Sequence, residues 1–303
     1  MSKIRVFAFG VLAVLTWATA VSATQQPGAR QSFAWNFRVG EQFQLETTTE
    51  LKQTIKVTNQ EAFQQEQRLT LVSNYVVAQK DNDSCALEQT IVSIKVQNPT
   101  GGAPGKFYQQ LEGSKLRLTL TNKNRELRLD GYEDMLKKVA GDDPNVRRVV
   151  QALLPEETLR RSLEESFAFL PPESIALGES WERKLVASLG PLGTLNIVNT
   201  YTYEKTEMDG NQSLHRFSVK PKITYSLPKS DSTGLPFQVT GGDLRAEGAS
   251  GTLWWNSVEG KLARSEMKLK LAGKLKIRAK EQDATLELQN DQSVEIRLTR
   301  ATN

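Results

Sequence analysis

The chain has 303 residues, with 39 Lys and Arg, 35 Asp and Glu, one Cys and one His. The formal net charge of +4 is small for this length, which argues against a protein that binds nucleic acid through its phosphates. One Cys excludes an internal disulfide, and one Cys with one His excludes a metal site built from several such residues. The length allows one large domain or two smaller ones.

Residues 1–23 have the three parts of a cleavable secretory signal peptide. Lys3 and Arg5 form a short positive region, residues 6–17 form an uncharged apolar run, and residues 21–23 place small side chains at the cleavage site. A membrane-anchoring helix is the alternative, but the apolar run is shorter than the roughly 20 residues that span a bilayer. We therefore expect an exported protein, located in the periplasm or outside the cell.

Cleavage after Ala23 has two consequences for the mature chain. Loss of Lys3 and Arg5 leaves 37 basic residues against 35 acidic ones, a net charge of +2, so no nucleic-acid partner is expected. A lipoprotein anchor needs a Cys at the cleavage point, and the only Cys is Cys85. No later segment is apolar enough to span a bilayer. We expect a soluble chain without a lipid anchor or a transmembrane segment.

The mature chain begins with a polar stretch, residues 24–32, which is expected to be a flexible leader. Residues 33–130 then form a first β region. From Phe43 to Val57 the apolar side chains hold odd positions and polar ones hold even positions, which is typical of a strand with one buried face.

The same alternation continues through the first β region. Residues 63–77 resume the odd-numbered apolar pattern, as the returning strand of a hairpin would, and a third strand is expected at 85–96. A loop at 98–105 follows. A further hairpin is expected from 116–120 and 127–129, with its turn at 122–124.

Residues 131–172 change to a helical period and predict three short amphipathic helices. Asp143 before Pro144 is typical of an N-cap and first helical position, and Asp130 with Glu133 has the spacing of a capping box. Helices this short are not stable alone, so their apolar stripes must pack on a sheet or on one another. The apolar stripes are Tyr132/Met135/Leu136/Val139, Val146/Val149/Val150/Leu153 and Leu159/Leu163/Phe167.

Residues 173–303 form a second β region, whose last two strands alternate apolar and charged residues. A two-residue turn at Glu281-Gln282 makes paired positions sum to 563. This register matches apolar with apolar on one face and cation with carboxylate on the other. The predicted pairs include Met267 with Ile296, Leu275 with Leu288, and Lys276 with Glu287.

Two other hairpins are expected in this region. A three-residue loop at Asp209-Gly210-Asn211 pairs the aromatic and β-branched residues of the flanking strands. Residues 253–262 form the other hairpin, around a turn at 256–260. The pairs predicted for the first are Tyr203 with Phe217, Tyr201 with Val219, Ile197 with Ile223, and Leu195 with Tyr225.

The two β regions share one short motif. Residues 39–43 and 177–181 both read apolar, Gly, Glu, any residue, aromatic. A duplicated β half with helices between the copies fits this match, and so does chance over so few residues.

Candidate reactive residues are few. His215 lies in a predicted strand beside a turn, without a partner that sequence can assign, and is expected at the surface. Cys85 is expected to be a small buried hydrophobe. There is no Gly-x-Ser-x-Gly elbow, phosphate loop or dinucleotide fingerprint, so neither a cofactor nor a metal is expected. A pair of catalytic carboxylates has no sequence signature and stays an alternative.

Two surface features are candidates for binding. The Lys and Arg face of residues 268–280 would suit an anionic partner, but predicted pairing with acidic residues favours a solvated face. Trp254 and Trp255 are neighbours on a strand and point to opposite faces, so at most one is expected in the core.

Several short segments resemble a family of exported bacterial proteins of unknown function. They are residues 169–172 (FLPP), 177–181 (LGESW), the strand 251–254 (GTLW) and the turn 260–262 (GKL). The resemblance covers most of the mature chain and transfers no catalytic residue. A curved sheet with short helices is also similar in architecture to periplasmic lipoprotein carriers, whose half-barrel holds an acyl chain under a helical lid.

We therefore expect an α+β protein with one or two long, curved antiparallel sheets, arranged as two related β halves if the motif is a repeat, and a helical segment on the concave side. The leading hypothesis is a non-catalytic protein that binds lipid or another apolar or amphipathic ligand in the cell envelope, with Leu153, Val150, Phe167 and Trp181 facing the ligand. The alternatives are an interaction or scaffold protein without a small ligand, and a hydrolase. A continuous apolar cavity favours the first, a filled core the second, and clustered buried carboxylates the third.

The mature protein is predicted to begin at Thr24, because small residues at positions 21 and 23 direct cleavage after Ala23. N-terminal sequencing of the protein recovered from the envelope or the medium measures this directly. Recovery of the chain with Met1 to Ala23 still attached would show that the segment is not a cleaved signal.

Overall fold

In a computed structural model, eleven strands form one open, curved antiparallel sheet, which confirms the expected fold class. The structure describes residues 28–97, 108–121, 126–189, 192–228, 238–279 and 282–299. The signal segment, the loop at 98–105 and the turn at 122–124 lie outside these ranges. The strands are β1 Gln42–Val57, β2 Phe63–Lys80, β3 Ser84–Gln97, β4 Lys115–Thr121, β5 Leu127–Asp130, β6 Ser180–Ser188, β7 Thr194–Asp209, β8 Gln212–Ser226, β9 Gln238–Asn256, β10 Lys261–Ala279 and β11 Gln282–Thr299.

The order across the sheet is β5-β4-β3-β2-β1-β11-β10-β9-β8-β7-β6. Each strand therefore pairs with its neighbour in the chain, except that β1 closes against β11 and leaves β5 and β6 as the two edges. Alternating apolar residues place one buried face on the same side of every strand. Phe43 stands opposite Tyr75, and Leu118 opposite Leu129, so the strands expected in the first β region are confirmed.

Three helices connect β5 to β6: α1 Tyr132–Ala140, α2 Pro144–Leu153 and α3 Glu156–Ala168. Asp143 caps α2 as expected, since its carboxylate accepts hydrogen bonds from the two following helical amides at 2.8 and 3.3 Å. The capping box predicted at Asp130 is wrong. Asp130 ends β5, and Gly131 is the N-cap at φ +93°, where a Cβ would lie 2.7 Å from a carbonyl oxygen. No helix in the described ranges is both long and apolar enough to cross a membrane.

Helix α3 lies between the two free edges of the sheet and contacts both β5 and β6. On one side Arg160 donates a hydrogen bond to the carbonyl of Leu127 in β5, at 3.3 Å. On the other, the indole of Trp181 in β6 donates to the carbonyl of Phe169, just after α3, at 2.8 Å. The helix thus joins two edges that do not pair with each other and covers the apolar face between them.

The segment before β1 is also attached to the sheet. Gln31 exchanges two backbone hydrogen bonds of 2.8 Å with Ile175, and the amide of Asn36 donates to the carbonyl of Gly260 at 3.0 Å. The leader expected to extend to Ser32 is therefore held by backbone pairing from Gln31 onward.

The sheet separates into two layers at one end. In the described ranges, β8 pairs with β9 only from Leu214 to Val219. Beyond that point the ends of β6, β7 and β8 lie over the inner face of β10 and β11. Leu195 there packs in one buried cluster with Leu271 and Leu286. This end of the apolar face is covered by the sheet itself and the other end by helices.

The two Gly-Glu motifs adopt the same local structure. Gly40 and Gly178 both have positive φ, +81° and +85°, which favours glycine. In each motif the Glu amide donates to the carbonyl three residues earlier in the chain. Each motif also exchanges two backbone hydrogen bonds with a residue of a neighbouring strand. The equivalent bonds are Gly40 N to Val77 O and Gly178 N to Tyr203 O, and Val77 N to Glu41 O and Tyr203 N to Glu179 O. The sequence match therefore extends to hydrogen bonding, which favours a repeat over chance.

The C-terminal hairpin exists, but its predicted register is wrong by two residues. Paired positions sum to 561, so Leu275 faces Leu286 instead of Leu288, and Lys276 faces Thr285 instead of Glu287. A shift of two keeps every side chain on its predicted face, because side chains alternate with a period of two. The apolar pattern therefore cannot separate these registers, and the turn decides between them.

The hairpin of β7 and β8 has the four predicted pairs but a different turn. Tyr203 faces Phe217 and Leu195 faces Tyr225, as expected. The loop predicted to have three residues has two, since Asp209 pairs with Gln212, and a bulge at Glu204 restores the predicted pairs further along. The hairpin predicted at 253–262 is confirmed, with Asn256 facing Lys261.

Glycines in β9 and β10 provide a test of the strand packing. A Cβ on Gly273 would lie 2.1 Å from the carbonyl oxygen of Asp243, whereas a Cβ on Gly248 would meet no atom within 4 Å. We expect Gly273→Ala to lower the free energy of unfolding by about 2 kcal/mol through overpacking. Gly248→Ala should raise it by up to about 1 kcal/mol by restricting the unfolded chain. Urea unfolding measures both, and equal effects would contradict the close approach of β9 and β10.

Candidate functional site

A cavity of about 990 Å³ lies between α3 and the inner face of the sheet. Its floor comes from β1, β2, β3 and β11, and its roof from α3 with single side chains from the other helices. Most of its lining is apolar. A volume of this size is at the upper end of the range for small-molecule sites, roughly 300–1,000 Å³.

The floor is built by strand pairing. Thr47 of β1 stands between Leu71 of β2 and Ile296 of β11, and Thr49 stands between Leu69 and Val294 in the next row. These are alternate residues on one face, so each strand adds one side chain to each row. The rows form a ladder of leucine, isoleucine and valine, with threonines along its centre.

The roof uses one face of α3. Leu159, Leu163 and Ser166 follow at intervals of four and three residues, which places them on one side of a helix. Met135 of α1 and Leu154, at the end of α2, complete the cover. The stripe predicted for α3 is the one that faces the cavity.

A stack of four aromatic rings lies at one end of the cavity, and three of them, Trp35, Phe43 and Tyr75, line it. Trp35 and Phe37 stack at 5.4 Å, Phe37 and Phe43 at 5.8 Å, and Phe43 and Tyr75 at 5.1 Å, with interplanar angles of 13° or less. Phe167 of α3 packs against this stack, edge-on to Tyr75. The indole of Trp35 donates to the Phe167 carbonyl at 2.8 Å. The stack therefore joins the segment before β1, the sheet and α3.

The second β region has an equivalent but shorter stack. Trp181 of β6 stacks on Tyr201 of β7 at 5.2 Å, at the positions that correspond to Phe43 and Tyr75 in the repeated motif. Burial raises the pKa of Tyr201 to about 12 and also raises the pKa of Tyr75. Both phenols are therefore neutral at physiological pH.

One ion pair lies at the aromatic end. Lys261 is the only charged residue among the described lining residues, and its side chain is 7% exposed. Its ammonium lies 2.6 Å from a carboxylate oxygen of Glu41. The pair neutralises the lysine, so the cavity offers no net charge to a ligand.

The opposite end is lined by uncharged polar side chains. Gln65 and Gln67 of β2 and Gln292 of β11 line this part, and they are more exposed than the aromatic end. From Gln65 to Tyr75 the floor covers ten residues, about 33 Å at 3.3 Å per residue. The cavity is therefore elongated and amphipathic, bordered by rings at one end and by glutamines at the other.

The structure separates the four residues predicted to face a ligand. Phe167 lines the cavity. Val150 is buried in the surrounding cluster but is not part of the lining, and the side chain of Leu153 lies outside the described part of the structure. Trp181 belongs to a separate buried aromatic cluster, which includes Tyr201, Phe217 and Trp255. Contact of any of them with a ligand stays a prediction.

Most of the lining was not predicted from sequence, although one signal was available. Thr47, Thr49, Gln65 and Gln67 are polar residues at the odd positions expected to be buried. A filled apolar core rarely contains several polar residues on the buried face of two adjacent strands. This pattern could have been used to predict a cavity over β1 and β2.

The single histidine is buried, so the expected surface position of His215 is wrong. Its ring nitrogen Nδ1 lies 2.7 Å from the Tyr203 hydroxyl, and its ring packs edge-on to Phe33. Burial lowers the pKa of His215, which keeps the ring neutral. Its strand faces the aromatic core because Trp255 lies opposite in β9. Cys85 is buried as expected, and burial raises the pKa of its thiol to about 11.

Both neighbouring tryptophans are buried, so the expectation of at most one in the core is wrong. Trp255 is 1% exposed and belongs to the same buried cluster as Trp181. Trp254 points to the opposite face and is 7% exposed, because the Arg264 guanidinium lies 3.9 Å from its ring and Glu207 accepts its indole N–H at 2.6 Å. Charged side chains can cover an aromatic residue with their aliphatic and planar parts.

The basic face of the last hairpin is paired with acids, as expected, but with different ones from those predicted. Because of the two-residue shift in register, Lys274 contacts Glu287 at 2.7 Å. Lys270 contacts Asp291 at 3.3 Å. These groups are exposed, which favours a solvated face over an anion site.

Residues 74–215 match a protein family of unknown function, DUF6263. This stretch is slightly less than half of the chain and runs from β2 into β8, so the chain is similar to that family across the helical segment and parts of both β regions. No curated protein matches the chain.

Among solved structures, the chain is similar to lipovitellin, with 10% identity, a TM-score of 0.44, and coverage of 88% of this chain and 26% of the other. It thus spans about a quarter of the lipovitellin chain. A DUF1329 family protein from Desulfovibrio piger has 6% identity, a TM-score of 0.15, and coverage of 85% and 86%. A LolA superfamily protein from Nitrosomonas europaea has 9% identity, a TM-score of 0.14, and coverage of 87% of this chain and 88% of the other. All three TM-scores are below 0.5, so these likenesses carry no argument about function.

The buried ion pair beside the cavity can be tested against an exposed one. Glu41→Gln leaves the buried Lys261 ammonium without its carboxylate, and we expect the free energy of unfolding to fall by about 2–3 kcal/mol. The matched change Glu66→Gln removes the partner of Lys52, which lies 3.3 Å away with its side chain 71% exposed, and should cost less than about 1 kcal/mol. Urea unfolding at neutral pH compares them. A loss no larger for Glu41→Gln would show that Lys261 is solvated.

Proposed function

We propose that this protein is an exported, non-catalytic protein of the cell envelope that binds an apolar or amphipathic ligand. The observation that carries the proposal is the elongated cavity of about 990 Å³ between α3 and the sheet. An interaction or scaffold protein would not need this interior space, because cores are normally filled by side chains to high packing density.

The lining suits binding better than chemistry. Its described polar groups are amides and hydroxyls, such as Gln67 and Ser162, together with the paired Lys261. Amides and hydroxyls can hydrogen-bond a ligand but are weak acids and bases, so they do not serve as general acid–base catalysts near neutral pH. These properties support a binding role.

The dimensions agree with a lipid-like ligand. The hydrocarbon core of a bilayer is about 30 Å thick and holds two layers of acyl chains, so one chain extends about 15 Å. The floor of about 33 Å can therefore hold one such chain at full length with room for a polar group. The apolar rows of Leu69, Leu71 and Ile296 would bury the chain, and each buried CH₂ contributes about 0.8 kcal/mol.

The cavity can be blocked from its floor. Thr47→Trp adds an indole between Leu71 and Ile296, so uptake of N-phenyl-1-naphthylamine, an uncharged probe that fluoresces in apolar sites, should fall at least about tenfold. The matched change Thr48→Trp places the same indole on the opposite face of β1 and should leave uptake unchanged. Fluorescence titration of both variants and the wild type measures the dissociation constants.

Lipid that copurifies with the protein gives an independent readout, by mass spectrometry of an organic extract. The wild type and Thr48→Trp should carry lipid, and Thr47→Trp should carry little. If the wild type neither takes up the probe nor carries lipid, the binding proposal is wrong and a scaffold role replaces it.

A further inference from the structure

We infer that the ligand is an uncharged amphiphile whose hydrogen-bond donor, a hydroxyl or an amide N–H, is received by Gln89 at the aromatic end of the cavity. This inference rests on the proposed function and adds the chemical class and the orientation of the ligand.

Gln89 is a polar residue in an apolar wall. It lines the cavity from β3, is 5% exposed, and stands between Tyr75 of β2 and Leu116 of β4. Its amide Nε2 donates to the hydroxyl of Ser73 at 3.0 Å, while its carbonyl Oε1 is buried without a hydrogen-bond partner among the described residues. A buried acceptor without a hydrogen-bond partner costs about 1–3 kcal/mol of stability. A donor on the ligand would remove this cost.

In the structure, Ser73 bonds to the Nε2 end of the Gln89 amide. Because its hydroxyl accepts from Nε2, the carbonyl oxygen is the end left for another partner. The last torsion of a glutamine side chain is soft, so a small rotation presents Oε1 to a ligand in the cavity. An acceptor selects a donor, which distinguishes a hydroxyl or amide from an ether or an ester.

The charges around the cavity exclude an ionised group at this end. Lys261, the one charged residue in the described lining, already contacts Glu41 at 2.6 Å. A carboxylate or phosphate would be buried without a free cation, and the desolvation of an unpaired charge costs several kcal/mol. A neutral donor avoids this cost.

Between Gln89 and the glutamine end the wall is mainly apolar. Ser73 and Gln67, on the same face of β2, are six residues apart, about 20 Å along the strand. Leu69 and Leu71 lie between them on that face. The ligand would therefore place its donor at Gln89 and run its chain toward Gln67.

The test measures displacement of N-phenyl-1-naphthylamine by three ligands of equal chain length: 1-tetradecanol, its methyl ether, and tetradecanoate at pH 8. The wild type should bind the alcohol about tenfold more tightly than the ether, which lacks the donor, and more tightly than the carboxylate. Gln89→Met, which keeps the volume, should bring the ratio of alcohol to ether close to one, because it removes the acceptor that distinguishes the two ligands. The matched change Gln97→Met, at an exposed position of β3, should leave the ratio at its wild-type value.

Ser73→Ala gives a second variant in case Gln89→Met does not fold. Without the serine hydroxyl the amide is no longer oriented, and the alcohol-to-ether ratio should fall severalfold. Equal binding of alcohol and ether by the wild type, or tightest binding of tetradecanoate, would overturn this inference while leaving the binding function intact. Failure of the wild type to take up the probe at all would instead count against the binding function.

Discussion

Eleven long strands present one continuous apolar face, and the burial of that face governs the rest of the structure. An open sheet does not bury its apolar face by closing into a barrel, so the sheet must fold over itself or be covered by other elements. One end is covered when β6, β7 and β8 separate from β9 and lie over β10 and β11. The other end is covered by the helices, with α3 set between edge strands β5 and β6.

The aromatic stack sets the position of α3 over the sheet. Stacked and edge-on rings join Trp35, Phe43 and Tyr75 to Phe167, and the Trp35 indole bonds to the helix carbonyl. Aromatic pairs contribute about 0.5–1.5 kcal/mol each beyond their buried area. Large rings at one end hold the helix above the sheet, while the smaller threonine and leucine side chains beyond them do not fill the space. The cavity follows from this difference in side-chain size along the floor.

The polar groups on the buried apolar face differ in their hydrogen-bond partners, and three cases occur. His215 bonds to the Tyr203 hydroxyl, and Lys261 pairs with Glu41, so both are satisfied within the protein. Glutamines at the open end are partly exposed and can reach water. Gln89 differs, because one of its two polar atoms is satisfied and the other is not. Since buried polar groups are normally paired, this unpaired oxygen is the group that we propose a ligand satisfies.

The amino-acid sequence by itself determined the local structure of most elements. Alternation with a period of two located the strands of the first β region, and the helical period with Asp143-Pro144 located α2. It also determined which face is buried along regular stretches of strand, since side chains alternate between the two faces, whereas a bulge shifts the alternation, as between Ile91 and Ile94 in β3. The sequence did not determine the register, because a shift of two residues keeps every side chain on the same face. The predicted register of the last hairpin was therefore wrong by two residues, and the turn before Gln212 has two residues where three were predicted.

Only the tertiary structure decided what lies on the buried face. Whether His215 or Trp254 is buried depends on Tyr203 and Arg264, which reach them across strands and through space. The cavity depends on the height of α3 above β1 and β2, and apolar residues that line a cavity are of the same types as those that fill a core. A sequence pattern records which side of a strand avoids water, whereas the distance between two covered surfaces is set by packing between elements far apart in the chain.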